Sequence, residues 1–337
     1  MVTSCRFLDG IIGDSSSKGR FVSMKAKQWE SYVRMLTLVA GDHPQEAYIA
    51  LTKSLQNEWL YLQKVTPNCG HLFQSVEDSL SSVFIPALIG HNASSRDRTL
   101  FYLPVRFDGL NIRDPIVNAE SLYNTSREAT QVLSDSIKGF HEFSLSDHME
   151  LILSTRSAFI KAQHDIYAQI FSKIFDSSDL VSKRFLSRNR DSLSAWLTDT
   201  PISKDDFHLS AIEFRDALCL RYMKPLLQLP PNCDGCGDVF TTSHALDCRR
   251  SGLIIYRHNK IHDLLFSFSS LVWTQTVKQP IVKDSTSSNP PFDSLIADLG
   301  ARGVWQPQTT TLFDIRIVDT DVPSYLTKSP EAVFKHC

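Results

Sequence analysis

Three cysteines and a histidine stand close together in the order Cys233-x2-Cys236-x7-His244-x3-Cys248. They offer three thiolates and one imidazole, the ligand number and type of a closed tetrahedral zinc site. Cys233-Asp-Gly-Cys236-Gly can turn as a knuckle, because Gly235 and Gly237 allow a tight backbone and amide-to-sulfur hydrogen bonds. His244 and Cys248 fall one helical turn apart, on a common face. Four ligands leave no open position, so the expected metal is structural, and binding is worth on the order of 10 kcal/mol of folding energy. The alternative is a set of reduced cysteines and a surface histidine that lie near one another without a metal. His258 and His262 are also four apart, but Asn259 stands where a metalloprotease helix needs Glu, which argues against a catalytic zinc there. These histidines either pack or contact phosphate beside Arg257 and Lys260.

A second group of residues with chemical potential is a pair of carboxylates. Leu295-Ile-Ala-Asp298-Leu299 reads as a strand, and Thr311-Leu-Phe-Asp314-Ile-Arg316-Ile-Val318 as a strongly alternating one. Alternation puts Asp314 and Arg316 on one face, roughly 7 Å apart. If the two strands pair, Asp298 comes alongside Asp314. Paired acids with a cation nearby suit magnesium-dependent cleavage of a phosphodiester, in which the metal lowers the pKa of a bound water. Aspartates at strand ends also cap turns or face solvent, and the residues alone leave both readings open.

The elements that must position these groups follow from periodicity. Trp29, Tyr32, Val33, Leu36 and Val39, then Tyr48, Leu51, Leu55, Trp59 and Leu62, recur at helical spacing from Met24 onward. Breaks are predicted at Gly41 to Pro44 and at Pro67 to Gly70, a third helix at Leu72 to Leu88, and a short strand at Arg6 to Ile12. Pro104, Gly109 and Pro115 predict an irregular packed loop between residues 100 and 116. Helices are predicted over Asn118 to Ile137 and Leu145 to Phe175, with Lys183, Arg184, Arg188 and Arg190 beyond them as a basic run, more commonly a solvated face than a phosphate contact. Prolines in Leu226 to Pro231 place a boundary near residue 229, and Asp284 to Pro291 reads as a loop.

With 337 residues, 42% of them apolar, the chain can bury a sizeable core. A net charge of -2 gives no global attraction to phosphate, so nucleic-acid binding has to come from local basic patches. Seven cysteines, only three of them clustered, do not form a disulfide framework and point to a reducing, intracellular location, nuclear or cytoplasmic. The N-terminus lacks the pattern of a secretory signal, and Leu264 to Val277 is too short to span a bilayer.

The knuckle, followed by Arg257-His258-Asn259 and then by Asp298 and Asp314 separated by fifteen residues, resembles the C-terminal region of non-long-terminal-repeat retrotransposon polyproteins. In that family a cysteine-histidine zinc knuckle precedes a restriction-like endonuclease that nicks target DNA. The resemblance implies Cys233, Cys236, His244 and Cys248 as zinc ligands, and Asp298 and Asp314 as magnesium-binding acids with Arg316 or Lys335 in place of the family's lysine. Phe7-Leu8-Asp9-Gly10 with Ile12-Gly13 looks like the motif that follows the polymerase palm, with Asp9 where the family has glycine. Phe84 to Leu88, Leu103 to Leu110 and Glu213 to Tyr222 are similar to the family's connecting region. Ala297 stands where the family often has Pro, and the lysine-rich helix after the second acid is barely begun, with Ser329 as its cap and Pro330 in its first turn.

The fold class expected is therefore α+β, predominantly helical. A thumb-like helical bundle at 1–140 and a helical linker at 141–228 precede a zinc knuckle with a small, incomplete α/β restriction-endonuclease-like sheet at 229–337. The function implied is that of a fragment or decayed copy of a reverse transcriptase/endonuclease polyprotein, lacking the palm and therefore unable to copy RNA. Its activity would be metal-dependent DNA nicking in impaired form, with target DNA and element RNA as partners and no membrane or small-molecule substrate. The alternatives are a non-catalytic zinc-knuckle module, in which Arg249, Arg250, Arg257, His258 and Lys260 contact nucleic acid, or an inert relic.

Overall fold

The computed structural model describes residues 4–8, 10–189, 196–202, 204, 207–250, 252–273, 275–283, 295–317, 324–325, 327–328 and 332. The chain is mostly helical, with a few small antiparallel sheets. It divides into two compact units, Met1–Leu227 and Gln228–Cys337. Among the described residues no helix is long and apolar enough to cross a membrane.

Unit 1 opens on a hairpin rather than one strand: β1 (Ser4–Phe7) pairs antiparallel with β2 (Gly10–Gly13). The left-handed backbone of Leu8, φ +45°, begins the reversal that the apolar pattern did not disclose; Asp9 lies outside the described residues. Helix α1 (Ser15–Asp42) starts well before Met24, because its beginning is set by the Asp14 carboxylate, which accepts from Ser17 N at 2.8 Å, and not by hydrophobic spacing. Its buried stripe runs through Val22, Ala26, Trp29, Val33 and Ala40. Pro44 starts α2 (Pro44–Ile49), as its missing N–H and fixed φ favour. A π-helical turn at Ala50–Leu55 leads into α3 (Gln56–Val65). Next come α4 (Gln74–Ser79), a second π turn at Leu80–Phe84, and α5 (Ile85–Ile89), which ends on the left-handed Gly90. Trp29 stacks on Phe73 with ring centres 6.0 Å apart and meets Trp59 edge-on at 6.1 Å. The Trp29 indole N–H is satisfied by Glu58 at 2.9 Å.

Helix α6 (Ser95–Tyr102) carries a Ser94/Asp97 capping box. The predicted helix from Asn118 to Ile137 is in fact two, α7 (Val117–Ala129) and α8 (Gln131–Ile137). Thr130 separates them, its hydroxyl bonding back to the Ser126 carbonyl at 3.0 Å. The long α9 (Leu145–Asp176) follows, then α10 (Leu180–Arg188) and α11 (Ala211–Arg221). The basic run expected to be solvated is divided: Arg184 is 3% exposed, and Arg190 lies outside the described residues.

The irregular segment between α6 and α7 is the most heavily tied part of unit 1. A buried loop must satisfy its backbone polar groups without a ladder, and here side chains from three helices do so. Tyr48 donates to the Leu110 carbonyl at 2.9 Å, Gln56 to Asn111 at 3.1 Å, and Gln63 to Pro115 at 2.6 Å. Arg98 donates to the Ile112 carbonyl at 2.9 Å while holding Glu77 through two 2.6 Å contacts. At the apex Asp108, in left-handed conformation and 1% exposed, faces Arg221 Nη2 at 2.8 Å, and Tyr222 donates to the Asp108 carbonyl at 3.1 Å. Burial pushes the Asp108 carboxyl up, and the Arg221 charge opposes that shift. Gly109 has no alternative residue: a Cβ there would stand 1.8 Å from the Leu103 carbonyl oxygen.

In unit 2, α12 (Thr242–Asp247) and α13 (Leu253–Val272) precede, among the described residues, five short strands, β3 (Thr276–Lys278), β4 (Ile281–Lys283), β5 (Leu295–Ile296), β6 (Leu299–Arg302) and β7 (Thr310–Phe313). The sheet β3-β6-β7 is antiparallel, and β4 pairs with β5. In the central strand β6, Leu299, Gly300 and Ala301 are buried. The alternating strand predicted over Thr311 to Val318 stops at Phe313. The Asp298 carboxylate takes the Ile315 N–H at 2.6 Å, so the ladder does not continue. Val318 and the loop at Asp284 to Pro291 lie outside the described residues.

Removing the charge that faces Asp108 is expected to be severe. Arg221→Met should cost about 3–5 kcal/mol, because it leaves a buried carboxylate unpaired, and Asp108→Leu with Arg221→Met should recover much of the loss. Urea unfolding followed by tryptophan fluorescence reads both; an unchanged midpoint for Arg221→Met would show that the pair holds nothing. Gly109→Ala should lower the same midpoint by at least about 3 kcal/mol equivalent, since the clash is with backbone.

Candidate metal centre

The knuckle forms from local backbone geometry. Asn232 and Val239 bridge as antiparallel partners, Cys233 N donates to the Asp238 carbonyl at 2.8 Å, and Gly237 N to the Cys233 carbonyl at 2.8 Å. Gly237 sits at φ +82°, a conformation that a side chain would strain. Thr241 then caps α12, its hydroxyl accepting from His244 N at 3.0 Å, which places the imidazole on the first turn. Cys248 terminates the same helix, its N–H donating to the His244 carbonyl at 2.8 Å.

These elements bring the four predicted ligands together. Their ligand atoms all lie within 4.8 Å of one another. Cys233 Sγ is 3.7 Å from Cys248 Sγ, Cys248 Sγ is 3.8 Å from Cys236 Sγ, and Cys236 Sγ is 3.2 Å from His244 Nε2. A tetrahedron with metal–sulfur arms of about 2.3 Å has sulfur–sulfur edges of about 3.8 Å. The two edges at Cys248 match that length, and the cluster could hold a metal such as zinc. Backbone N–H groups of Cys236 and Gly235 aimed at the Cys233 sulfur hold its thiol below the ordinary range. A backbone hydrogen bond from Asp238 lowers the Cys236 thiol, but burial and the neighbouring Cys233 and Cys248 sulfurs prevail and push it up to about 11. A second thiolate beside the first is thus disfavoured, and a cation at the centre is what would remove the repulsion.

The basic residues around the knuckle part company. Arg249 and Arg250 follow Cys248 directly and are exposed. Lys260 is exposed as well, its ammonium 5.4 Å from the centre of the Tyr256 ring. Arg257 instead is half-buried and donates to the Leu246 carbonyl at 3.4 Å, tying α13 to α12. His258 lies parallel to His262, ring centres 6.4 Å apart, with its Nε2 3.6 Å from Asp298 Oδ1. The buried His262 places its own Nε2 2.8 Å from the Asp298 carbonyl oxygen. The sequence reading missed this pairing of α13 with Asp298, although the four-residue spacing of the histidines, which puts both on one helix face, was its signal.

The carboxylates are placed by the sheet. The ladder ends with Leu299 paired to Phe313, and Asp298 and Asp314 are the next residues of the two segments, Asp298 N donating to the Phe313 carbonyl at 3.1 Å. Their nearest partners differ, however. Asp298 binds the Ile315 N–H and faces His258, whereas the exposed Asp314 accepts from Arg316 Nε at 2.9 Å. Among the described residues, the zinc-type cluster is the one group of three or more metal-ligating side chains close enough to share an ion. Lys335, the other candidate cation, lies outside the described residues, as do Ser329 and Pro330.

No protein-family model matches the chain, and no curated protein does.

Purified protein is expected to carry one equivalent of zinc, and Cys236→Ser to carry none, read by elemental analysis. Because the ligands must be deprotonated, the metal should leave as pH falls, and chelation should destabilise the knuckle by an amount on the order of 10 kcal/mol at neutral pH. Retention of stoichiometric zinc by Cys236→Ser would mean that another set of ligands holds it.

Proposed function

We propose that unit 2 is a zinc-held nucleic-acid-binding module, and that the chain is part of a retrotransposon reverse transcriptase/endonuclease polyprotein. The observation that carries the proposal is the Cys233, Cys236, His244, Cys248 cluster, whose sulfur spacing fits a tetrahedral metal. The metal would organise a segment that otherwise has few apolar contacts, and the exposed Arg249 and Arg250 extend directly from its last ligand. Guanidinium groups on a rigid base bind phosphate without base specificity. The order of knuckle, Arg257-His258-Asn259 and the two acids supports the family assignment. On that reading the helices of unit 1 correspond to the thumb and the connecting region, and the sheet of unit 2 to part of a restriction-like endonuclease.

A second reading, magnesium-dependent nicking of DNA, is supported by Asp298 and Asp314 standing next to the paired Leu299 and Phe313. In this reading the two carboxylates hold the ion, Arg316 orients the phosphate, and His258 fixes the Asp298 carboxylate from α13. The present partners of both acids make binding without efficient cleavage the better supported function.

Binding to labelled duplex DNA should weaken as salt rises. Arg249→Ala with Arg250→Ala should lower affinity several-fold and flatten the log–log salt slope by about 1.8, two phosphate contacts at roughly 0.9 each; an unaltered slope would remove these arginines from the interface. In a plasmid-nicking assay with magnesium, Asp298→Ala and Asp314→Ala should each abolish any activity of the parent chain, and equal activity in the variants would assign it to a contaminant.

A further inference from the structure

Unit 1 contains a groove of about 830 Å³ between α3, the segment after α6, α7 and α9. That volume lies within the range of dedicated ligand sites, about 300–1,000 Å³. Its walls carry Lys64, Arg106, Arg113 and Arg156, and no aspartate or glutamate lines it among the described residues. In a chain of net charge -2 such a collection is local. Lys64, Arg106 and Arg156 are exposed. The polar partners of the arginines that have them are uncharged amides or imidazole: Arg106 Nη2 lies 3.2 Å from His164 Nδ1, and Arg113 Nη1 donates to Asn57 Oδ1 at 3.5 Å.

Nearby acids are already engaged elsewhere. Asp114 accepts from the N–H groups of Ile116 and Val117, Glu120 from Asn124, and Glu58 from Trp29. Among the described residues no carboxylate stands at ion-pair distance from Lys64, Arg106, Arg113 or Arg156, so an anion is the groove's natural complement. Beyond the cations the wall mixes uncharged polar side chains such as Asn118, Thr125 and Gln163 with apolar and aromatic ones, among them Phe159 and Tyr167. Tyr167 is fixed edge-on against Tyr102, ring centres 5.5 Å apart.

A ligand that suits both parts has anionic groups along one side and flat, weakly polar faces along the other. A nucleic-acid duplex hides those faces in its stack, and a bare phosphate has none. We infer that this groove binds single-stranded nucleic acid, with phosphates on Arg106, Arg113, Arg156 and Lys64 and bases against Phe159 and Tyr167. The site lies wholly in unit 1 and does not depend on the zinc centre.

The test uses the full-length chain carrying Arg249→Ala and Arg250→Ala, so that loss of the knuckle's arginines is already built in, and labelled oligo(dT) followed by fluorescence anisotropy. Arg106→Glu with Arg156→Glu should weaken binding at least roughly tenfold and flatten the salt slope, while Arg106→Lys with Arg156→Lys retains most of the affinity. Circular dichroism checks that the exposed substitutions leave the helices intact. Phe159→Ala should weaken oligo(dT) binding but not the competition by inorganic tripolyphosphate. Affinity unchanged in the glutamate variant would overturn the assignment. Tripolyphosphate or duplex competing as well as oligo(dT) at equal phosphate would also overturn it, because the apolar wall would then have no part. If the knuckle proves not to bind nucleic acid, these comparisons stand unaltered.

Discussion

A carboxylate as secluded as that of Asp108, 1% exposed, persists only opposite a charge, and Arg221 supplies that charge from 2.8 Å away. The pair fixes the apex of a segment that has no regular hydrogen bonding of its own. Around it Tyr222, Tyr48, Gln56 and Gln63 answer the carbonyls that a helix or sheet would have answered. The consequence is a rigid irregular segment, pinned by α2, α3, α6 and α11, whose groove side carries Arg106 and Arg113. Charge buried on one side of this segment positions the charge presented on the other.

Unit 2 solves the same problem with different chemistry. Among the described residues its strands are two to four residues long, and the sheet buries little beyond Leu299, Gly300 and Ala301. So small an apolar core needs another source of order. The Cys233, Cys236, His244, Cys248 cluster provides a candidate, since a metal there would link the knuckle to both ends of α12. The His258 and His262 contacts to Asp298 then connect α13 to the sheet through polar groups instead of apolar area.

Much of this was legible in the sequence because it is local. The cluster spans sixteen positions, and its turn formers announce the knuckle. The breaks at Pro44 and near Pro67 and the irregular segment around Pro104, Gly109 and Pro115 follow from backbone chemistry that each residue carries with it. What failed was set at a distance or by a polar cap. The early start of α1 depends on Asp14, the reversal between β1 and β2 on a leucine in a left-handed conformation, and the end of β7 on the Asp298 side chain just before β6. Arg257 illustrates the limit: its charge predicts phosphate, but its position against the Leu246 carbonyl gives it a structural partner. The groove of unit 1 was invisible because its cations come from α3, the irregular segment and α9, with no shared periodicity.

The partners of the buried pair also impose an order on synthesis. Asp108 and Tyr222 are 114 residues apart in the chain, whereas the knuckle closes within sixteen. As the chain leaves the ribosome, at about 5–20 residues per second, the first five helices can gather around Trp29, Trp59 and Phe73 while the Asp108 carboxylate still faces water. Only the arrival of α11 allows that segment to be sealed. On this account the segment around Asp108 waits, for a time on the order of several seconds, for the Arg221 and Tyr222 side chains that close it.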